Sequence, residues 1–331
     1  MPVFELPLDE LRNYLGSSPR PADFDEYWAA GISELASTPA CVELRPAAFH
    51  VPFAECFDMY FSGVQGARIH SLYARPTSRP AAHPAVLKFH GYGANAGDWS
   101  DLLPYVAAGY SAAAMDCRGQ GGPSDDVGGV RGPTLHGHII RGLVDGREKL
   151  LLRQIYLDTV QLVRVVMTFS EVDPDRIGVT GASQGGGLAI ACAGLEPRVR
   201  LVAPIYPFLS DYRRVWHMDL ARDAYLELSQ FFRSFDPLHE REAETFHRLG
   251  YVDVQFLAER IQAPVLFTLA MMDTVCPPST QFAAYNRIRS AKQLVVYPDF
   301  GHEELPGSAD RILTFFMGFM DGDAKMRAVV P

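Results

Sequence analysis

A five-residue segment, Gly181-Ala182-Ser183-Gln184-Gly185, constrains this chain more than any other. A short apolar run, Arg176 to Thr180, stands before it, and small residues from Gly186 to Ala191 follow and read as the start of a helix. A strand that turns into a helix within so few residues brings two backbones together, and glycines at both flanks leave room for that approach. The serine at the apex is then held in strained dihedrals. It also stands at a helix N-terminus, where backbone N–H groups can face a developing negative charge. Strand, Gly-x-Ser-x-Gly, helix is the context of a nucleophile elbow. The plainer alternative is a glycine-rich connector with a solvated serine, and the flanking strand and helix favour the elbow.

Eight strands are expected: residues 56–62, 68–74, 84–90, 110–116, 176–180, 199–205, 264–270 and 293–297. The first two flank Gly63-Val64-Gln65-Gly66 and read as a hairpin. From the third strand on, the intervening segments are long enough for helices, so a mostly parallel sheet with helices on both faces is expected. Residues 1–50 read as a helical lead-in whose main helix opens at Asp23 and carries Trp28 as a core anchor. Two connections exceed a single crossover helix. One runs from Gly119 to Asp175 and begins with a Gly-rich loop, Gly119 to Gly132. The other, Tyr206 to Ile261, is rich in aromatic and charged residues and reads as a helical insertion after the sixth strand. It would cap the carboxyl edge of the sheet, where open α/β sheets bind ligands. The whole chain, 1–331, reads as a single domain.

Composition narrows the partners. A hydrophobic content of 48% supports a sizeable core, and 30 basic against 39 acidic residues gives a net charge of −9. Nucleic acid and anionic membranes select basic patches, so neither is an expected partner. Five cysteines (Cys41, Cys56, Cys117, Cys192 and Cys276) show no CxxC or zinc spacing and read as reduced thiols. The first ten residues lack the basic and apolar regions of a signal peptide, and no apolar run reaches the ~18 residues of a membrane span. A soluble, cytoplasmic protein is the expectation.

A serine nucleophile needs a general base, and the base needs an orienting acid. Asp273 ends the seventh strand and His302 follows the eighth, so both share an edge of the sheet with Ser183. Serine, acid, histidine is the chain order of α/β-hydrolases. Asp299 lies too close in sequence to His302 to reach its ring from behind, and Asp253 does not directly end a strand. His90 opens the Gly-rich run Gly91-Tyr92-Gly93, which points to a role other than base. His136 and His138 form a lone His-x-His without a third metal ligand. The remaining histidines read as structural or solvated. Two backbone N–H groups would form the oxyanion hole, those of Gln184 and of Tyr92 in the loop after the third strand.

With these residues in hand, the chain resembles carbohydrate esterase family seven, the acetyl xylan esterases and cephalosporin-C deacetylases. The signatures that carry the resemblance are Arg118-Gly119-Gln120, Gly181-Ala182-Ser183-Gln184-Gly185 and His302-Glu303, in that order. It extends to the His-Gly-Tyr loop, to Tyr206-Pro207-Phe208-Leu209-Ser210 and to Pro277-Pro278-Ser279-Thr280. The resemblance implies an α/β-hydrolase fold and a Ser183, Asp273, His302 triad with Tyr92 and Gln184 as oxyanion donors. The implied reaction is hydrolysis of acetyl esters on short xylo-oligosaccharides and on cephalosporin C. It further implies no metal, no organic cofactor and a homohexamer. Residues 145–153 and the region around Trp99 depart from the family pattern, which bears on assembly and sugar access.

Aromatic placement and the resemblance together predict that Tyr92, Tyr206 and Pro207 close an acetyl-sized pocket. Arg118 and Gln120 are expected behind the site, Arg118 fixing a loop through a carboxylate, and Glu303 is expected to bond backbone behind His302. Two other readings remain: a general short-chain carboxylesterase or peptidase of the same fold, and a non-catalytic binding protein. The intact Ser, Asp and His argue against the latter.

Overall fold

The computed structural model describes residues 4–78, 82–126 and 136–318. Residues 127–132 of the Gly-rich loop therefore lie outside the described residues. Nine strands form one sheet: β1 (Glu43–Pro46), β2 (Ala54–Ser62), β3 (Arg68–Pro76), β4 (His83–Phe89), β5 (Ser111–Met115), β6 (Val172–Ala182), β7 (Val199–Ile205), β8 (Val265–Ala270) and β9 (Lys292–Tyr297). Their order across the sheet is β1-β2-β3-β5-β4-β6-β7-β8-β9. The pairs from β1 through β3 to β5 are antiparallel, and every pair from β5 onward is parallel.

All eight expected strands are present, but the count among the described residues is corrected to nine. β1 sits in residues 1–50, where the sequence predicts a helical lead-in. It is an edge strand of four residues, none of them buried, with two charged side chains. Such a strand shows no apolar alternation, and only its pairing with β2 makes it one. The expected hairpin forms with full register, from Ala54 opposite Pro76 to Ser62 opposite Arg68.

Alternate residues of the central strands feed two cores, as the period of two requires. Ala85, Leu87 and Phe89 of β4 point into one, with Val265, Phe267 and Leu269 of β8. Val86 and Leu266 point into the other. The helices Phe24–Ala36, Leu151–Val166, Gln184–Leu195 and Pro278–Arg287 supply buried side chains to the first core. Leu103–Ala107 and Ser308–Met317 cover the second. Trp28 is fully buried, stacks on Tyr156 at 5.8 Å and donates its indole N–H to Tyr251 O at 3.0 Å.

The chain leaves β4 for β5 on one side and later enters β6 on the other. This reversal opens a crevice at the carboxyl ends of β4 and β6, the place where open sheets of this kind bind ligands. The connection from β7 to β8 is helical, with Tyr212–His217, Leu226–Phe235, Glu242–Leu249 and Val254–Ala258.

Candidate active site

The turn after β6 is as sharp as its sequence requires. Ser183 has φ 58° and ψ −120°, a conformation that side chains rarely adopt. Its backbone is pinned on both sides: Ser183 N–H donates to Ile205 O at 3.0 Å, and Ser183 O accepts from Phe208 N at 2.9 Å. A Cβ on Gly185 would stand 2.0 Å from Phe89 O, and one on Gly181 would stand 2.5 Å from the same oxygen. Neither position has room for a side chain. Gln184 is the first residue of the helix Gln184–Leu195, so its N–H lies in the first turn, where no intrahelical carbonyl is available.

The three residues expected at the carboxyl edge meet there. Ser183 Oγ lies 3.0 Å from His302 Nε2, and His302 Nδ1 lies 2.8 Å from Asp273 Oδ2. Asp273 is fully buried, whereas the His302 side chain is 23% exposed. The remaining oxygen of Asp273 accepts the N–H groups of Val275 and Cys276, each at 2.8 Å. Those bonds fix the carboxylate so that its other oxygen faces the imidazole. They also favour the Nδ1–H tautomer, which leaves Nε2 free to accept the serine proton. Among the described residues, Asp273, Cys276 and His302 are the grouping of His, Cys and carboxylate ligand atoms close enough to hold a cation, all within 4.8 Å of one another. Burial and the neighbouring Asp273 push the Cys276 thiol far up.

The loop after β4 reaches over Ser183 and is tied to the elbow by Gln120. Gln120 Oε1 accepts Gly93 N–H at 2.8 Å, and its amide pairs with the Gln184 side chain at 2.9 and 3.0 Å. Asp116 supports the same loop by accepting Ala96 N–H at 2.6 Å, and its other oxygen meets His70 Nδ1 at 2.5 Å. Arg118 is buried behind this layer. Its guanidinium holds Asp158 at 2.5 and 2.7 Å, Val64 O at 2.8 Å and Gln154 at 3.1 Å. Glu303 accepts Gly301 N–H at 2.9 Å and so stiffens the turn that carries His302.

A cavity of about 470 Å³ opens over Ser183 and His302, walled by Gly91, Tyr92, His136, Asp223, Ala224 and Val275. Tyr92 is at the site as expected. Tyr206 is not part of this wall. It has φ 29°, its ring rests on the His302 ring at 4.7 Å, and it lines a neighbouring cavity of about 490 Å³. Pro207 is buried, with its backbone against Gly186. The walls not foreseen come from the segment after β8 (Val275) and from the insertion (Asp223 and Ala224). Nothing in their local sequence marks them, because their role depends on where the insertion folds back.

Of the rival residues, His136 lines the cavity, and the others have different surroundings. His90 Nε2 accepts Cys117 N–H at 3.0 Å while Nδ1 meets Gly91 O at 2.7 Å, and burial holds its pKa below the usual histidine range. His138 Nε2 bonds Gly119 O at 3.0 Å. Asp299 is exposed, and Asp253 is buried within the insertion, where it accepts Asp211 N–H at 3.0 Å.

The strand order, the turn after β6 and the positions of the acid and histidine after β8 and β9 define an α/β-hydrolase. The family model for acetyl xylan esterase (AXE1) matches residues 1–319, and the chain belongs to that family. Membership places it among the carboxylic ester hydrolases. Acetyl xylan esterase 1 from Thermoanaerobacterium sp. JW/SL YS485 is 56% identical, with a TM-score of 0.92 over 95% of this chain and 99% of that one. Acetyl xylan esterase from Paenibacillus sp. R4 is 34% identical, with a TM-score of 0.89 over the same shares, 95% and 99%. Acetyl esterase Axe7A of Xylanibacter ruminicola is 28% identical over 84% of this chain, which spans only 62% of that protein's length.

Proposed function

We propose that the protein is an acetyl esterase that removes acetyl groups from short xylo-oligosaccharides and from cephalosporin C, with Ser183, His302 and Asp273 as its catalytic triad. The observation that carries this reading is the unbroken hydrogen-bonded chain from Ser183 Oγ through His302 to Asp273 at the mouth of a cavity. As Ser183 Oγ attacks the acetyl carbonyl carbon, its proton moves to His302 Nε2. The carbonyl π electrons move to oxygen, and the N–H groups of Gln184 and Tyr92 stabilise that oxyanion. Asp273 stabilises the imidazolium through Nδ1. Collapse of the tetrahedral intermediate breaks the bond to the sugar oxygen, which takes the proton from Nε2. Water then attacks the acetyl-enzyme by the same route, releasing acetate and restoring the serine.

The cavity is larger than an acetyl group needs, which leaves space for part of a sugar or a cephem ring beside the ester. Substrate identity is tested by acetate release from acetylated xylo-oligosaccharides, other sugar acetates and cephalosporin C. A general short-chain carboxylesterase would hydrolyse p-nitrophenyl butyrate as fast as the acetate and show no gain on sugars. Faster octanoate than acetate turnover would sink the small acyl site. Ser183→Ala should lose at least ~10⁴-fold in kcat, and near-normal turnover would sink the triad.

The same reading takes the protein as a homohexamer in the cytoplasm. Five unpaired cysteines support a reducing compartment. Light scattering that returned the mass of one chain would end the hexamer. Among the described residues, no helix is long and apolar enough to cross a membrane.

A further inference from the structure

Glu227 takes no part in the steps above, yet its carboxyl is built into the site. It belongs to the helix Leu226–Phe235 of the insertion and is 1% exposed. Its Oε1 accepts the phenol O–H of Tyr92. Its Oε2 accepts the N–H groups of Ile139 at 2.7 Å and Ile140 at 3.1 Å. A single carboxyl thus joins three segments far apart in sequence: the loop after β4, the connection after β5 and the insertion. Core cohesion alone does not call for it, because apolar side chains of similar volume hold such a junction without desolvating a carboxyl. What a carboxyl adds is direction, since it fixes where the Tyr92 hydroxyl sits. The Tyr92 ring already meets His138 edge-on at 5.0 Å and Phe208 at 5.6 Å. Those contacts restrain the ring plane, and the bond to Glu227 sets how far the loop stands from the insertion.

We propose that Glu227 is a positioning residue for acyl transfer. Through the Tyr92 hydroxyl it holds the loop Gly91–Gly93 where the Tyr92 N–H meets the oxyanion, and it makes the insertion part of the catalytic apparatus. This rests on the assignment of the Tyr92 N–H under the proposed function. The titratable groups facing Glu227 are Tyr92 from the loop and Tyr212 from the insertion, and the His138 ring of the connection stands against Tyr92. Burial pushes the Glu227 carboxyl up to about 7. Its ionised form accepts all three donors, and protonation gives up part of that acceptance.

The test uses the full chain with Glu227→Gln, Tyr92→Phe and the double variant, assayed on p-nitrophenyl acetate, with Ser183→Ala as control. Each single variant should lower kcat about 10- to 100-fold, with KM within about 3-fold of the parent. The double variant should be no slower than the worse single one, because both changes cut the same link. The parent-to-Glu227→Gln ratio of kcat should rise as pH increases from about 6 to about 8. A purely structural Glu227 would lower the melting temperature and leave kcat and its pH profile unmoved, and that result overturns the proposal. Losses that multiply in the double variant overturn it as well. A dead Ser183→Ala beside a normal Glu227→Gln sinks the positioning role alone. An active Ser183→Ala sinks the triad and the positioning role with it.

Discussion

Ser183 is held at φ 58° by bonds on both sides of its backbone, so the elbow depends on Ile205 O and Phe208 N–H staying where they are, while Phe89 O crowds both flanking glycines. Gly185→Ala drives a methyl group toward Phe89 O and forces the strand and helix apart. Overpacking of this kind costs roughly 1–3 kcal/mol. The variant should therefore melt lower and lose most of its esterase activity, read by thermal denaturation and acetate release. A variant of parental activity would show that the turn tolerates the shift. Asp273→Asn should cost about 10⁴-fold in kcat while leaving the melting temperature nearly in place, because the wrong imidazole tautomer faces the serine. At this scale the sequence was informative where chemistry demands a residue type in a given order, as for Ser183, Asp273 and His302. It was silent on Glu227, on the packing of the Tyr206 ring against His302 and on that of Pro207 against Gly186, because those neighbours come from other segments.

Between residues and the whole molecule stand the elements that carry the site, and two polar ties connect them. Gln120 links the loop after β4 to the elbow helix, and Arg118 links the segment after β5 to the helix Leu151–Val166 through Asp158. Burial pushes the Asp158 carboxyl up, and the guanidinium pulls against that shift. Arg118→Met leaves a buried carboxyl without its charge partner, a loss of about 3–5 kcal/mol. Urea denaturation should show that loss, and a change below about 1 kcal/mol would mean that the tie is dispensable. The eight apolar or alternating strands were readable because period two and flanking turns survive in a single sequence. β1 was not, since an exposed edge strand needs only a partner's backbone.

At the scale of the whole molecule, the insertion is fastened to the N-terminal segment through a pair of buried carboxyls. Asp211 accepts Tyr14 O–H at 2.7 Å and Ser18 N–H at 2.8 Å, while Asp253 accepts Asp211 N–H. Burial and the nearby Asp211 push the Asp253 carboxyl up to about 7. In the unfolded chain the group ionises near pH ~4. Between these values the native state holds a proton that the unfolded state releases, so this contribution to stability is complete below pH ~4 and lost as pH rises toward ~7. Asp253→Asn carries no such titration. Its melting temperature relative to the parent should climb as pH is raised from about 4 to about 7, and a gap that stays constant would refute the assignment. The order of residue types along the chain determined the strand sequence, the elbow and which serine, acid and histidine share one edge, because those follow from local periodicity and turn chemistry. Only the tertiary structure decided the cavity walls and the Glu227–Tyr92 tie, because partners 135 residues apart are joined by packing that no local pattern encodes.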